Sequence, residues 1–486
     1  MSRHQRPSRD VSPGRVLPDG PKTFEELDQW AKEMVTQYKG QDVPLPPWLV
    51  GVKYLVVTSK WSGCGGMNIA VMKIIEAIKE IFNIEIAVKF HSSCDIDRVC
   101  QGLLKTLNCQ HLNSDLLDQY DSEVVSKIYH KMMYLQQRLS DFKNSRRTAT
   151  EKKDMKLKLT AELKAYILLL APTARWTKTA FCLRHSYGDN IKRCGIVPTL
   201  SDGEMWLECV SPNCQPWSRK GLQLGWLGFE NLPTIMWSMS LQVFQPHLVA
   251  LECTGGFDIA FVEALSGRRF ETVLLAPHHV GVPMTGERLW AFSAQGSGLS
   301  CSPSMFSPTY INRFVRKGVV AGIQDLFCKA TVDEQTDYKR HVNTTQARIP
   351  CHPRAKEYRW EDCINTGHAT RLQQHRIFGS NKRAESPSMF MTNLAWDIKD
   401  GPLHHKRPDE GGYLPRPLTN SFMWLEGLER PLLPLELLGA QGLPIYDSAE
   451  SSAFASIWQW RSKVRQMRYQ DQTHVAGCPL EKGRVE

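Results

Sequence analysis

The chain has no long apolar run. Its longest, residues 165–171, falls far short of the roughly 20 apolar residues a membrane-spanning helix needs. The opening residues are polar and basic, without the apolar stretch of a secretory leader. Regularly spaced cysteine pairs are also lacking. Fourteen cysteines are scattered through 486 residues, so we expect free thiols in a reducing compartment rather than a disulfide scaffold. Neither sign of charge dominates: 60 Lys and Arg face 50 Asp and Glu, a net charge of +10. That bias suits a polyanionic partner and equally suits any basic soluble protein. No internal repeat is present, which excludes solenoids and propellers. These absences leave a soluble, intracellular globular chain with no membrane association. The basic stretch at 143–158 suits nuclear residence, and suits a solvated helix end just as well.

What is present begins with a Pro-, Arg- and Ser-rich tail over residues 1–22, read as disordered. Phe24, Leu27, Trp30, Ala31 and Met34 then fall on one face of a helix predicted over 23–38. An apolar strand at 54–58 runs into a glycine-rich turn (Ser62, Gly63, Cys64, Gly65, Gly66) and a helix to about 81. A second strand is predicted at 84–90, where Ile84, Ile86, Val88 and Phe90 alternate, ending near Asp95, Ile96 and Asp97. Strand, glycine turn, helix, strand, acid is the opening of a doubly wound α/β sheet that binds an adenosine-containing cofactor.

Apolar residues spaced 3 and 4 apart, from Val125 to Phe142 and again from Leu159 to Leu170, predict a helical hairpin inserted into that domain. Further strands are predicted at 205–210, 247–252 and 272–276. Residues 295–425 show no strong periodicity, and helices are predicted at 434–441 and 453–467.

Two residues carry the chemistry. Cys214 stands on a Pro212, Asn213 turn that we expect to present it to a cleft, and Glu252 closes a strand-like run. A thiolate that adds to C6 of a cytosine ring, with an acid protonating the ring nitrogen, needs these two groups. Either alone is commonplace: a single Cys is more often a small buried hydrophobe than a nucleophile.

With these pieces in order, the chain resembles the DNA (cytosine-5) methyltransferases. Trp61, Ser62, Gly63, Cys64, Gly65 and Gly66 resemble that family's cofactor loop, Phe-Ser-Gly-x-Gly-Gly. Asn213, Cys214, Gln215, Trp217 and Ser218 resemble Pro-Cys-Gln-x-Phe-Ser with Asn for the Pro, and Glu252, Cys253 and Thr254 stand for Glu-Asn-Val. The stretch from Gly281 to Trp290 resembles Gly-Val-Pro-Gln-x-Arg-x-Arg-x-Phe, but Met284 and Gly286 replace two polar residues and Arg288 survives. Arg430 to Pro444 is the fullest match, to Arg-x-Leu-Thr-Pro-x-Glu followed by Gln-Gly-Phe-Pro. A closing Gly-Asn motif is matched poorly, at Ala476, Gly477, Cys478 and Pro479.

The resemblance implies a doubly wound, Rossmann-like sheet of the S-adenosylmethionine-dependent methyltransferase type, with an inserted helical hairpin and a smaller target-recognition domain. It divides the chain into the tail (1–22), a cofactor-binding half (23–120), the hairpin (121–175), a half with the nucleophile loop (176–294), a target-recognition region (295–425) and a returning C-terminal motif (426–486). It implies S-adenosylmethionine held by residues 61–66 with Asp95, Ile96 and Asp115, and methylation of cytosine C5 in double-stranded DNA by Cys214, Glu252 and Arg288. RNA is the alternative substrate, and a nucleic-acid-binding relative that has lost catalysis is a second alternative.

Gln215, Ser218, Gln441 and Gly442 are expected near the nucleic acid. So are Arg340, Arg348, Arg354, Arg359, Arg371 and Arg376 of a basic stretch interleaved with aromatics, although a solvated loop has the same composition. Cys182, His185, Cys194 and Cys209 suit a small zinc knuckle by residue type, but their spacing is irregular, and the favoured expectation is that they pack under the nucleophile loop.

Overall fold

The structure, a computed structural model, describes residues 21, 23–40, 45, 47–144, 148–218, 223–280, 282, 284, 286–296, 330–346, 359–364, 366–380, 391–393, 422–425, 428–441, 443, 463–464 and 467. The helix expected at 23–38 is two helices, α1 (Phe24–Asp28) and α2 (Trp30–Lys39). A short α3 (Pro47–Gly51) leads into β1 (Tyr54–Lys60), which is buried from its second residue onward. The glycine turn follows, then α4 (Gly66–Phe82), which buries Ile69, Met72 and Ile75 on one face and ends on Asn83 in the left-handed region. That is the usual way for a helix to stop.

β2 (Ala87–Cys94) lies further along the chain than the 84–90 expected from alternation. Parallel pairing sets its position: Tyr54 opposes Ala87, and a bulge at Val57/Thr58 brings Ser92, Ser93 and Cys94 opposite the end of β1. Both serines are buried, and Ser93 Oγ accepts from Ser59 Oγ at 3.0 Å and from Asn68 Nδ2 at 3.3 Å. Side-chain hydrogen bonds thus extend the strand past its apolar stretch.

The chain continues through α5 (Arg98–Leu104) and β3 (His111–Asn113) to the hairpin helices α6 (Ser122–Lys143) and α7 (Ala149–Leu170). Ile128, Met132, Leu135 and Leu139 of α6 and Leu159, Leu163 and Ile167 of α7 are buried. Each full burial stabilises by about 1.5–3 kcal/mol before entropy is counted. A small hairpin, β4 (Thr179–Phe181) and β5 (Arg193–Gly195), precedes β6 (Glu204–Val210). Then come α8 (Leu232–Phe244), β7 (Leu248–Thr254), α9 (Ile259–Ser266), β8 (Glu271–Leu275) and β9 (Arg288–Ala294).

Seven strands form one sheet in the order β3-β2-β1-β6-β7-β9-β8. β9 runs antiparallel between β7 and β8, while the other pairings are parallel. This is the doubly wound, methyltransferase-type sheet. The order reverses between β1 and β6, which opens a crevice beyond the carboxyl ends of the parallel strands. No helix among the described residues is long and apolar enough to cross a membrane.

The segment read as lacking periodicity contains three helices among its described residues: α10 (Val332–Gln346), α11 (Trp360–Cys363) and α12 (Thr366–Ser380). Their apolar residues are few. They gather in one small core of Tyr338, Val342, Trp360, Ile364 and Leu372 with Phe422, Trp424 and Leu433. A sparse stripe of that kind is lost among surrounding polar residues.

A three-stranded sheet of β10 (Met391–Asn393), β11 (Met423–Leu425) and β12 (Arg430–Pro431) leads to α13 (Pro434–Ala440). Arg430 donates to both carboxylate oxygens of Glu436, at 2.8 and 2.7 Å, and Glu436 accepts from the Leu433 N–H at 2.8 Å. The fullest motif match therefore has a physical core, a buried ion pair that also caps a helix. The helix expected at 453–467 falls mostly outside the described residues, as do residues 1–20 and 476–479.

Candidate active site

Beyond the strand ends lies a cavity of about 450 Å³. Ser59 and Lys60 from β1, Cys209 and Ser211 from β6 and its exit, Glu252 from β7, and Arg288 and Trp290 from β9 form its floor. Trp61, Ser62, Gly63, Cys64, Gly66 and Met67 make one wall. Val280, Val282, Met284 and Gly286 also line the cavity, as do Gln441 and Leu443 just past the end of α13. Trp30, Glu33, Met34 and Gln37 of α2 also line it. The sequence pattern marked that helix only as amphipathic, and gave no sign that it borders a site.

The glycine loop is shaped by its backbone. Gly63 and Gly65 have φ of +54° and +86°, and a Cβ at Gly65 would lie 2.3 Å from Leu107 Cδ1. Trp61 takes a φ of +51° without being glycine, a conformation that stores about 1–3 kcal/mol and persists only where neighbours enforce it. The enforcement is visible at the end of β2. Ser62 N–H donates to Cys94 O at 2.9 Å, Cys94 N–H donates to Ser62 Oγ at 3.0 Å, and Gly63 N–H donates to Asp95 Oδ2 at 2.7 Å.

Asp95 also accepts from the Asp97 N–H at 2.9 Å. Burial pushes its carboxyl up to about 6, against the lowering effect of those two N–H donors. Asp95 therefore braces the loop and is not part of the cavity lining. Asp115 accepts from the Leu117 N–H at 2.8 Å, and Ile96 is exposed; both also stand outside the lining.

Glu252 and Arg288 meet inside the cavity. Arg288 Nε lies 2.6 Å from Glu252 Oε1, with the two side chains 12% and 9% exposed. Antiparallel pairing of β7 with β9 sets this up, Thr254 opposing Arg288 and Glu252 opposing Trp290. A carboxylate held by a guanidinium at the edge of a cavity can orient, or hold a proton on, a polar ring atom.

Cys214 is not brought to this pair. Only 4% exposed, it packs in the core with Val210, Trp226, Cys253 and Phe257 and is absent from the cavity lining. The expectation that the Pro-Asn turn presents the thiol to a cleft is corrected here. The turn itself is present: Cys214 O accepts from the N–H groups of Trp217 and Ser218 at 3.0 and 2.9 Å, and Asn213 Oδ1 accepts from Gln215 at 3.0 Å.

Its direction is set by Trp217, whose ring packs edge-on against Trp226 and Phe257 at 5.1 and 5.2 Å. Trp217 also donates to Asn231 Oδ1 at 2.9 Å. That anchor turns the loop inward and leaves Ser211, three residues earlier, facing the cavity. Cys209 does line the cavity, but burial and Glu208 push its thiol up to about 12, which keeps it protonated.

The predicted nucleic-acid contacts are dispersed. Arg340 is exposed and ion-paired with Asp337 at 2.6 Å, and Arg376 pairs with Glu361 at 2.5 Å. Arg359 is exposed and Arg371 half-buried. Gln215 and Ser218 are half-buried in the turn, Gln441 lines the cavity, and Arg348, Arg354 and Gly442 lie outside the described residues. Cys182, His185 and Cys194 come together, while Cys209 lies apart from them on β6; the group adjoins β3 and not the nucleophile turn.

No family model matches the chain, and no curated protein matches its sequence. Solved structures similar to it include the Schizosaccharomyces pombe Dnmt2 methyltransferase, 12% identical, covering 87% of this chain and 96% of that one at a TM-score of 0.33. The Entamoeba histolytica methyltransferase EhMeth is 10% identical, covering 87% and 93% at a TM-score of 0.36. A putative DNA modification methyltransferase from an Escherichia coli prophage is 13% identical, covering 87% and 98% at a TM-score of 0.33. Overlaps this loose transfer no residue roles, and the fold stands on the strand order.

Proposed function

We propose that this chain is a member of the cytosine-C5 methyltransferases and transfers a methyl group from S-adenosylmethionine to C5 of cytosine in double-stranded DNA. One observation carries the reading: a glycine loop and a buried Glu–Arg pair share one cavity at the switch point of a methyltransferase-type sheet. The residues present suit the cofactor. The first turn of α4 starts at the glycine loop with N–H groups that no side chain caps, a ready partner for the methionine carboxylate. Trp61, Met67 and Trp30 offer apolar walls. S-adenosylmethionine, when bound, supplies an electrophilic methyl group.

The remaining work falls to the chain. Stacking shields C5 within a duplex, so the target nucleotide leaves the stack. Glu252, held by Arg288, keeps a proton at ring N3 while the Cys214 thiolate adds to C6, which makes C5 nucleophilic. After methyl transfer, loss of the C5 proton and elimination return Cys214 to its free state. Because Cys214 is turned into the core, this cycle requires the 213–218 turn to release Trp217 and swing outward.

A second reading follows from the same burial: a relative that binds cofactor and nucleic acid without transferring the methyl group. Met284, 6% exposed where the family keeps a polar Gln, points the same way. Labelled S-adenosylmethionine separates the readings. Label incorporated into duplex DNA supports the proposal, and label in transfer RNA alone makes RNA the substrate. No incorporation into either, with the cofactor still bound, supports the second reading.

A further inference from the structure

Away from the cavity, four side chains from two parts of the chain converge at the edge of the sheet. His111 comes from β3, Cys182 follows β4, His185 lies on the connection after it, and Cys194 belongs to β5. Their ligating atoms all lie within 4.8 Å of one another. His185 Nδ1 is 3.4 Å from Cys182 Sγ and 3.2 Å from Cys194 Sγ. The His111 and His185 rings are 5.2 Å apart. Cys182 is fully buried, and His111 Nδ1 is buried without a hydrogen-bond partner.

We propose that His111, Cys182, His185 and Cys194 bind a structural zinc ion. Two thiolates and two imidazoles are a ligand set that zinc favours and that calcium or magnesium does not. With zinc–sulfur and zinc–nitrogen bonds of about 2.3 and 2.0–2.1 Å, a tetrahedron has sulfur–nitrogen edges of about 3.5 Å. The two edges at His185 are already close to that. Four protein ligands leave no open position, so the ion is structural and not catalytic.

The location supplies a reason. β4 and β5 are three residues each, and a hairpin that short is marginal alone. Few direct bonds fix it to β3, among them Leu183 N–H to Leu112 O at 2.8 Å and Asn113 Nδ2 to Phe181 O at 2.7 Å. A metal shared between β3 and the hairpin would pin the exit of the helical insert to the edge of the sheet. No regular spacing announces the site, because one ligand lies about 70 residues before the others.

The test is metal analysis of the full chain, purified without a histidine tag or added metal. About one zinc per chain is expected, as for a closed structural site. Cys182→Ser and Cys194→Ser should each lose it, while Cys209→Ser should keep it. Should the serine variants fail to fold, cobalt(II) exchanged into the wild type must give ligand-field bands of a tetrahedral site with thiolate charge transfer. Absence of stoichiometric zinc, a wild-type chain carrying a Cys182–Cys194 disulfide, a cobalt spectrum without those bands, or zinc retained in both serine variants would each overturn the proposal.

Discussion

Removing the Glu436 side chain should destabilise the protein more than most surface ion-pair deletions do. Arg430 and Glu436 are 5% and 0% exposed and share two hydrogen bonds. In Glu436→Ala the guanidinium loses both carboxylate oxygens and retains the Pro431 carbonyl, at 2.9 Å. Leaving one charge of such a pair buried costs about 3–5 kcal/mol. Leu433 N–H and Ala330 N–H also lose an acceptor, and an unsatisfied buried donor costs about 1–3 kcal/mol.

The double variant Arg430→Met, Glu436→Leu removes both charges and retains only the second cost, so it should be more stable than Glu436→Ala. Urea unfolding followed by circular dichroism and tryptophan emission measures both. A loss below about 1 kcal/mol in Glu436→Ala, the range of a solvated pair, would refute the reasoning. Because Gln441 and Leu443, just past the end of α13, line the cavity, the same variant should also weaken cofactor binding.

Three further outcomes follow from the site. Glu252→Gln should lower methyl transfer by about 100- to 10,000-fold, the range of a lost acid–base group, with cofactor affinity in equilibrium dialysis nearly unchanged. Gly65→Ala forces a side chain into a φ of +86° against Leu107 and should cost about 1–3 kcal/mol in urea unfolding. Asp95 is raised in the folded chain to about 6, above an unfolded value of about 3.9. Its stabilising contribution is therefore full below the lower value and lost as pH rises through the higher one. Asp95→Asn should remove a fall in unfolding free energy between those values, and an unchanged pH profile in denaturation would contradict the assignment.

Much of the sheet was legible because its signals are local. A short apolar run marked β1, glycines marked the turn, and a 3–4 spacing marked α6 and α7. Glu252 was legible as the acid closing a strand. Arg288, 36 residues further on, was reached through the motif resemblance and not through any local pattern; antiparallel pairing of β7 with β9 is what places it 2.6 Å from Glu252. The direction of Cys214 was illegible for a related reason. Pro212 and Asn213 specify a turn, but whether it points in or out depends on the packing of Trp217 against Trp226 and Phe257. Asp95 was expected after the second strand and stands there, but that its carboxylate accepts from the Gly63 and Asp97 N–H groups was not legible. Such partners are tertiary, and no single segment encodes them.

The most direct measurement is capture of the reaction on the protein itself. Duplex DNA carrying 5-fluorocytosine cannot release the C5 substituent, so a cysteine that adds to C6 and supports methyl transfer stays bonded to the base. With S-adenosylmethionine present, the account predicts a denaturation-resistant protein–DNA species whose cross-linked peptide contains Cys214 and which Cys214→Ser abolishes. A species mapped to another cysteine, or none across all cytosine contexts with cofactor bound, would contradict it.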